Sequence, residues 1–143
     1  MTDTARAAKR IRLIGAAALV WSAIGCAAYL SQVSMSPADL ASLPPPQRVA
    51  WEAMPAWATA AYGVAVWFSL AGSIALIARR RLAVPLFAVS LIAALAQFAS
   101  AFTATPLLHD VGPLALVLPL VVVAVGTALL VVAAGARRRE VLR

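Results

Sequence analysis

Reactive side chains are scarce in this sequence, and each shortage removes a class of chemistry. A single cysteine, Cys26, excludes a disulfide framework within one chain and any cysteine-based zinc site. A single histidine, His109, leaves most other metal geometries short of ligands. No serine–histidine–acid set is legible, and His109 and Asp110 stand adjacent in a short loop with no third partner. They read as solvated loop residues, so no catalytic residue, metal or cofactor is expected. An enzyme acting on lipid headgroups through those two residues is the weakest of the functional readings.

Charge is equally sparse. Charged residues make up 12% of the chain, about half the usual share, and they cluster between long uncharged stretches. Past Arg12, four segments of roughly twenty residues carry no Asp, Glu, Lys, Arg or His at any phase of a helical turn. A helix apolar all round is buried in protein or in lipid, and a chain of 143 residues cannot hide four of them behind a soluble shell. Proton-coupled pumps and small multidrug exporters rely on an ionisable residue within the membrane; these spans offer none.

What is present is an ordered series of apolar spans. The first covers about residues 11–30, with Arg6, Lys9, Arg10 and Arg12 at its start. Twenty residues at roughly 1.5 Å each give about 30 Å, the thickness of the hydrocarbon core. The second span covers 56–78, the third 82–103 and the fourth 113–136. Only Arg79, Arg80 and Arg81 separate the second from the third, which makes an antiparallel hairpin. Pro85 falls in the first turn of its span, where a missing N–H costs little. Pro119 falls inside the fourth and predicts a bend near Ala115.

Between the first two spans, the loop 31–55 is polar and proline-rich. Ser36-Pro37-Ala38-Asp39 is a helix-start signature. Pro44-Pro45-Pro46 ends that turn, and Gln47 to Met54 can form a second short helix with Arg48 and Glu52 paired at i,i+4. Trp51, Met54 and Trp57 fall on its other side, as in an amphipathic helix lying on a membrane surface. The second outer loop is 104–112. The whole chain therefore reads as one all-α domain, a polytopic four-helix up-down bundle with a short surface helix after the first span.

The net charge of +7 invites a nucleic-acid reading, but the arginines flank apolar spans and form no basic helical face. The partner implied is the lipid bilayer. Of the twelve basic residues, only Arg48 lies on the side of Asp39, Glu52 and Asp110. Positive residues stay in the cytoplasm, so both termini are expected there. Arginine outnumbers lysine and alanine abounds, a composition of GC-rich bacterial genomes, and the expected location is a bacterial inner membrane. Ala23-Ile24-Gly25-Cys26 faintly matches a lipoprotein signal, with cleavage and lipidation at Cys26; the alternative is a small cysteine packed between helices.

Polar and small residues recur with helical spacing. Ser90, Gln97 and Ser100 share one face of the third span, Tyr62, Ser69 and Ser73 one face of the second, and Ser22, Cys26 and Tyr29 one face of the first. Ala18-Ser22-Cys26, Ser69-Ser73 and Ala124-Ala128 allow close helix approach, so these faces are expected to turn inward. Tyr29, Tyr62, Gln97 and Ser100 lie at similar depth near the outer ends, where they can converge in a small ligand-binding pocket. The competing reading is interhelical bonding by the serines and Gln97, with the tyrosines in an aromatic belt. Trp21 and Trp67 lie near mid-span; core packing is expected of both, with stacking of Trp67 on a ligand as the alternative.

From Trp51 to Thr103 the chain resembles a family of small four-span bacterial membrane proteins of no settled function, often loosely labelled sugar transporter. The likeness rests on Met54-Pro55-Ala56-Trp57, Val66-Trp67, Gly72, the Arg79-Arg80-Arg81 hairpin and the run from Pro85 to Leu91 leading to Gln97. The resemblance implies a four-span membrane bundle, and the scarcity of reactive side chains argues against catalytic apparatus in it. Two functions are compatible with it: a membrane component packing against a partner or a second copy of itself, and a passive carrier or binder of a neutral solute such as a sugar.

Overall fold

The computed structural model describes residues 2–104 and 112–143. Four helices in it are long and apolar enough to cross a membrane. They are α1 (Asp3–Val33), α4 (Ala56–Ile77), α5 (Ala83–Ala104) and α6 (Val117–Arg138); two short helices, α2 (Pro37–Ser42) and α3 (Pro45–Glu52), link α1 to α4. No strand occurs among the described residues. The chain is an all-helical, multi-pass membrane protein with the up-down order expected. His109 and Asp110 lie outside the described residues.

Neighbours in sequence are neighbours in space: α1 packs on α4, α4 on α5, and α5 on α6. The central helix α4 is the most buried and α6 the least. Along the α1–α4 seam the contacts are polar and close. Ser22 Oγ lies 2.8 Å from Ser69 Oγ and 3.3 Å from Ser73 Oγ. Cys26 Sγ donates to the Val66 carbonyl at 3.5 Å. Ser90 Oγ on α5 donates to the Ala65 carbonyl on α4 at 2.6 Å. Small side chains allow these approaches, and hydroxyls within a membrane are stabilised by bonds of this kind across helices. Ala18, Ser22 and Cys26 are all buried, as their spacing predicts, and Cys26 sits within an unbroken α1.

Several expectations are corrected. α1 extends past 11–30 at both ends, carrying Arg6, Lys9, Arg10 and Arg12 on its first turns. The triple proline starts a helix as well as ending one: Pro44 is the cap of α3, with Pro45 and Pro46 in its first turn. Those positions have no intrahelical N–H bond to lose. Arg48 and Glu52 do not come within 4.0 Å; among the described residues the ion pair present is Asp3–Arg6. The fourth span begins as a 3₁₀ segment, Gly112–Leu116, and becomes α-helical only at Val117. Pro119 therefore falls in a first turn and interrupts no helix interior.

Trp21 and Trp67 are 37% and 44% exposed, so both rings face outward and neither fills a core. Ala124 and Ala128 also point outward. α6 instead turns Leu129, Ala133 and Ala136 inward, toward Phe87, Ala83 and Leu76.

Candidate functional site

Tyr29 and Tyr62 meet where α1 and α4 end away from the arginines. Their rings pack edge to face, with centroids 5.2 Å apart and planes at 84°, a favoured aromatic geometry. Gly63 makes the approach possible: a Cβ there would stand 2.8 Å from the Tyr29 hydroxyl oxygen. Closer to the helix ends, Gln32 Nε2 approaches Met54 Sδ at 3.6 Å and ties the end of α1 to the entry of α4.

Gln97 and Ser100 lie on the buried face of α5, 9% and 5% exposed. Neither side chain has a hydrogen-bond partner among the described residues. No fully buried polar atom there is left unpaired, so both keep a sliver of accessible polar surface. The structure thus joins the two tyrosines and buries the amide and hydroxyl on α5, but no hydrogen bond or ring contact links one pair to the other. Trp67 is turned outward, away from any such grouping. Trp57 is also exposed, while Trp51 is partly buried.

The opposite end holds an arrangement that residue patterns did not reveal. α4 and α6 finish alike, each with a non-glycine residue at φ 56°: Arg79 and Glu140. In both, the left-handed residue lets the chain fold back on the helix end. Arg80 N–H donates to the Ala75 carbonyl at 2.7 Å, and Val141 N–H to the Ala136 carbonyl at 3.0 Å. These bonds satisfy carbonyls that a helix terminus leaves open. The segment Val141–Arg143 then lies along the hairpin. Arg143 N–H donates to the Arg79 carbonyl, and Arg81 N–H to the Arg143 carbonyl at 2.9 Å. Arg79 Nε donates to the Val141 carbonyl at 3.0 Å and Arg81 Nε to the Leu142 carbonyl at 3.4 Å. Val141 and Leu142 are buried beneath, beside Ile11 of α1. The only sequence signal was an apolar Val141-Leu142 pair after a charged run.

A cleft of about 480 Å³ opens at this end, between the start of α5 and the end of α6. Arg81, Val84, Ala134, Arg137, Arg138 and Glu140 line it. Among the described residues no group of His, Cys, Asp or Glu could hold a metal ion. Compared with models of protein families, with curated proteins and with solved structures, the chain matches none.

Proposed function

We propose that this protein is a non-enzymatic component of a bacterial inner membrane that associates through its transmembrane helices with a second copy of itself or with a membrane partner. In this reading both termini are cytoplasmic, supported by the placement of eleven of the twelve basic residues at one end. The resemblance to small four-span bacterial proteins is consistent with it.

The observation that carries the reading is the outward face of α6. Ala124 and Ala128 are exposed one turn apart. A Cβ on Gly135, seven residues further, would meet nothing within 4 Å. Small residues facing lipid leave a shallow groove in which a second helix can approach closely, on the helix that its own bundle covers least. Crosslinking in native membranes tests this. With Cys26 replaced by serine, Ala124→Cys or Ala128→Cys should give a reproducible dimer or a single heterologous adduct. Monomers alone at both positions would refute it.

A second reading rests on Gln97. A buried amide and a buried hydroxyl with no side-chain partner among the described residues can hydrogen-bond a small neutral solute, with Tyr29 and Tyr62 at similar depth. Uptake of a neutral sugar into liposomes should then be lost in Gln97→Leu while folding is retained. If the wild-type protein moves no solute, this second reading is wrong.

A further inference from the structure

We infer that the cleft between the start of α5 and the end of α6 binds the phosphodiester group of an anionic membrane lipid, held by Arg81, Arg137 and Arg138. Arg81, Arg137 and Arg138 line this open cleft together with Val84, Ala134 and Glu140. Its donors are unspent. Arg81 uses Nε on the Leu142 carbonyl, which leaves both terminal nitrogens of its guanidinium. Arg137 and Arg138 have no side-chain partner among the described residues. Guanidinium groups present paired N–H donors in a plane that matches two phosphate oxygens.

Arg81 is held in place, which distinguishes it from a freely waving surface arginine. Its backbone N–H is bonded to the Arg143 carbonyl, and its side chain to the next carbonyl back. One wall of the site is thus fixed by the hairpin and the C-terminal segment together. Arg137 and Arg138 come from the last turn of α6, the opposite wall.

Two features favour a lipid over free phosphate. First, the cleft lies where an apolar span ends, the level at which headgroups sit. Val84 and Ala134 line it on the apolar side, a path for an acyl chain. Second, Glu140 shares the cleft without coming within 4.0 Å of an arginine nitrogen. Its carboxylate opposes a doubly charged phosphate but can accept a hydrogen bond from a headgroup hydroxyl beside a singly charged diester. A glycerol headgroup supplies both.

The full chain, purified in a neutral detergent, can be titrated with phosphatidylglycerol, phosphatidylcholine or inorganic phosphate and read by native mass spectrometry. The wild type should retain one phosphatidylglycerol in preference to phosphatidylcholine. Arg137→Gln/Arg138→Gln should weaken that retention by at least about tenfold, the loss of two charge-assisted contacts. Lys9→Gln/Arg10→Gln removes the same charge from α1, outside the cleft, and should change it by less than about twofold. Glu140→Gln should narrow the preference for the diester over inorganic phosphate. Equal loss in both double variants would show a diffuse charge effect and overturn the site. Saturation by inorganic phosphate alone, or equal retention of phosphatidylcholine, would overturn the lipid as its occupant. Dimer crosslinking through α6 is a separate measurement, so either result leaves the other standing.

Discussion

Arg143 and Arg79 are joined backbone to backbone, with the Arg143 N–H donating to the Arg79 carbonyl at 2.6 Å. The contact spans the end of the last helix and the hairpin between the two central ones. It carries Leu142, 1% exposed, into the apolar cluster that includes Ile11, Leu76 and Phe87. Leu142→Ala should therefore lower unfolding stability in detergent by about 2–5 kcal/mol. It should also speed hydrogen exchange at Arg81 and Arg143, whose amides depend on that docking. Unchanged exchange would mean that the segment is held by its backbone bonds alone.

Two glycines should respond to alanine with opposite signs. In a helix the exchange ordinarily gains up to about 1 kcal/mol. At Gly135 nothing lies within 4 Å of the added Cβ, so Gly135→Ala should stabilise the isolated chain by up to about that amount. At Gly15 the added carbon would stand 2.8 Å from Ile77 Cγ1 and 3.2 Å from the Ile77 backbone nitrogen. A side chain can rotate away, but the backbone of α4 cannot without moving the seam. Gly15→Ala should cost about 1–3 kcal/mol. Thermal unfolding of both variants in one detergent measures the contrast.

The seam between α1 and α4 should show measurable coupling at Ser22. Its hydroxyl is 2% exposed and lies within hydrogen-bonding distance of two serines on α4. Interhelical hydrogen bonds within membranes average about 0.6 kcal/mol, with a maximum near 1.7. Ser22→Ala should fall in that range. A double-mutant cycle with Ser69→Ala should return most of the loss as coupling energy. Ser73 should matter less in this cycle, because its hydroxyl also has the Ser69 carbonyl at 2.8 Å.

Hydropathy and arginine placement located α4 and α5 to within a residue: 56–78 was expected against Ala56–Ile77, and 82–103 against Ala83–Ala104. Breakers and charges mark where lipid ends, and that boundary is written in composition. Facing is not. In a bilayer both the packed and the lipid side of a helix are apolar, so Trp21 and Trp67 gave no sign of pointing outward. Hydroxyls gave more: Ser22, Ser73 and Ser90 turned inward onto partners, as their spacing implied, and Ser100 turned inward without one among the described residues. Ala124 and Ala128 show the limit of small-residue spacing, which suits either a neighbour within the chain or one outside it. Of the expected ligand residues, the Tyr29–Tyr62 contact and the burial of Gln97 and Ser100 follow from depth and phase. The knot at the basic end does not, since it depends on Arg79 and Glu140 adopting a backbone conformation uncommon outside glycine.

Asp39 provides a pH dependence confined to the loop between α1 and α4. Its carboxylate accepts from the Ser36 hydroxyl at 2.6 Å and from the Ser36 N–H at 3.0 Å, and its own N–H donates back to Ser36 Oγ at 3.2 Å. This reciprocal cap starts α2. The Ser36 hydroxyl, and then the Ser36 N–H, hold the carboxyl below its ordinary range by stabilising the charged form. A carboxyl whose pKa is lower in the folded state stabilises that state fully above its unfolded value, about 3.9. The benefit fades as pH falls through the lower folded value. The first turn of α2 should therefore stay protected at neutral pH and open only in strong acid. Ser36→Ala removes the hydroxyl contact, so an NMR titration of the Asp39 carboxyl should move upward toward the ordinary value. Hydrogen exchange at Leu40, whose amide donates to the Ser36 carbonyl at 2.9 Å, should rise in the same variant already at neutral pH. An Asp39 titration that Ser36→Ala leaves in place would show that the cap does not set its charge.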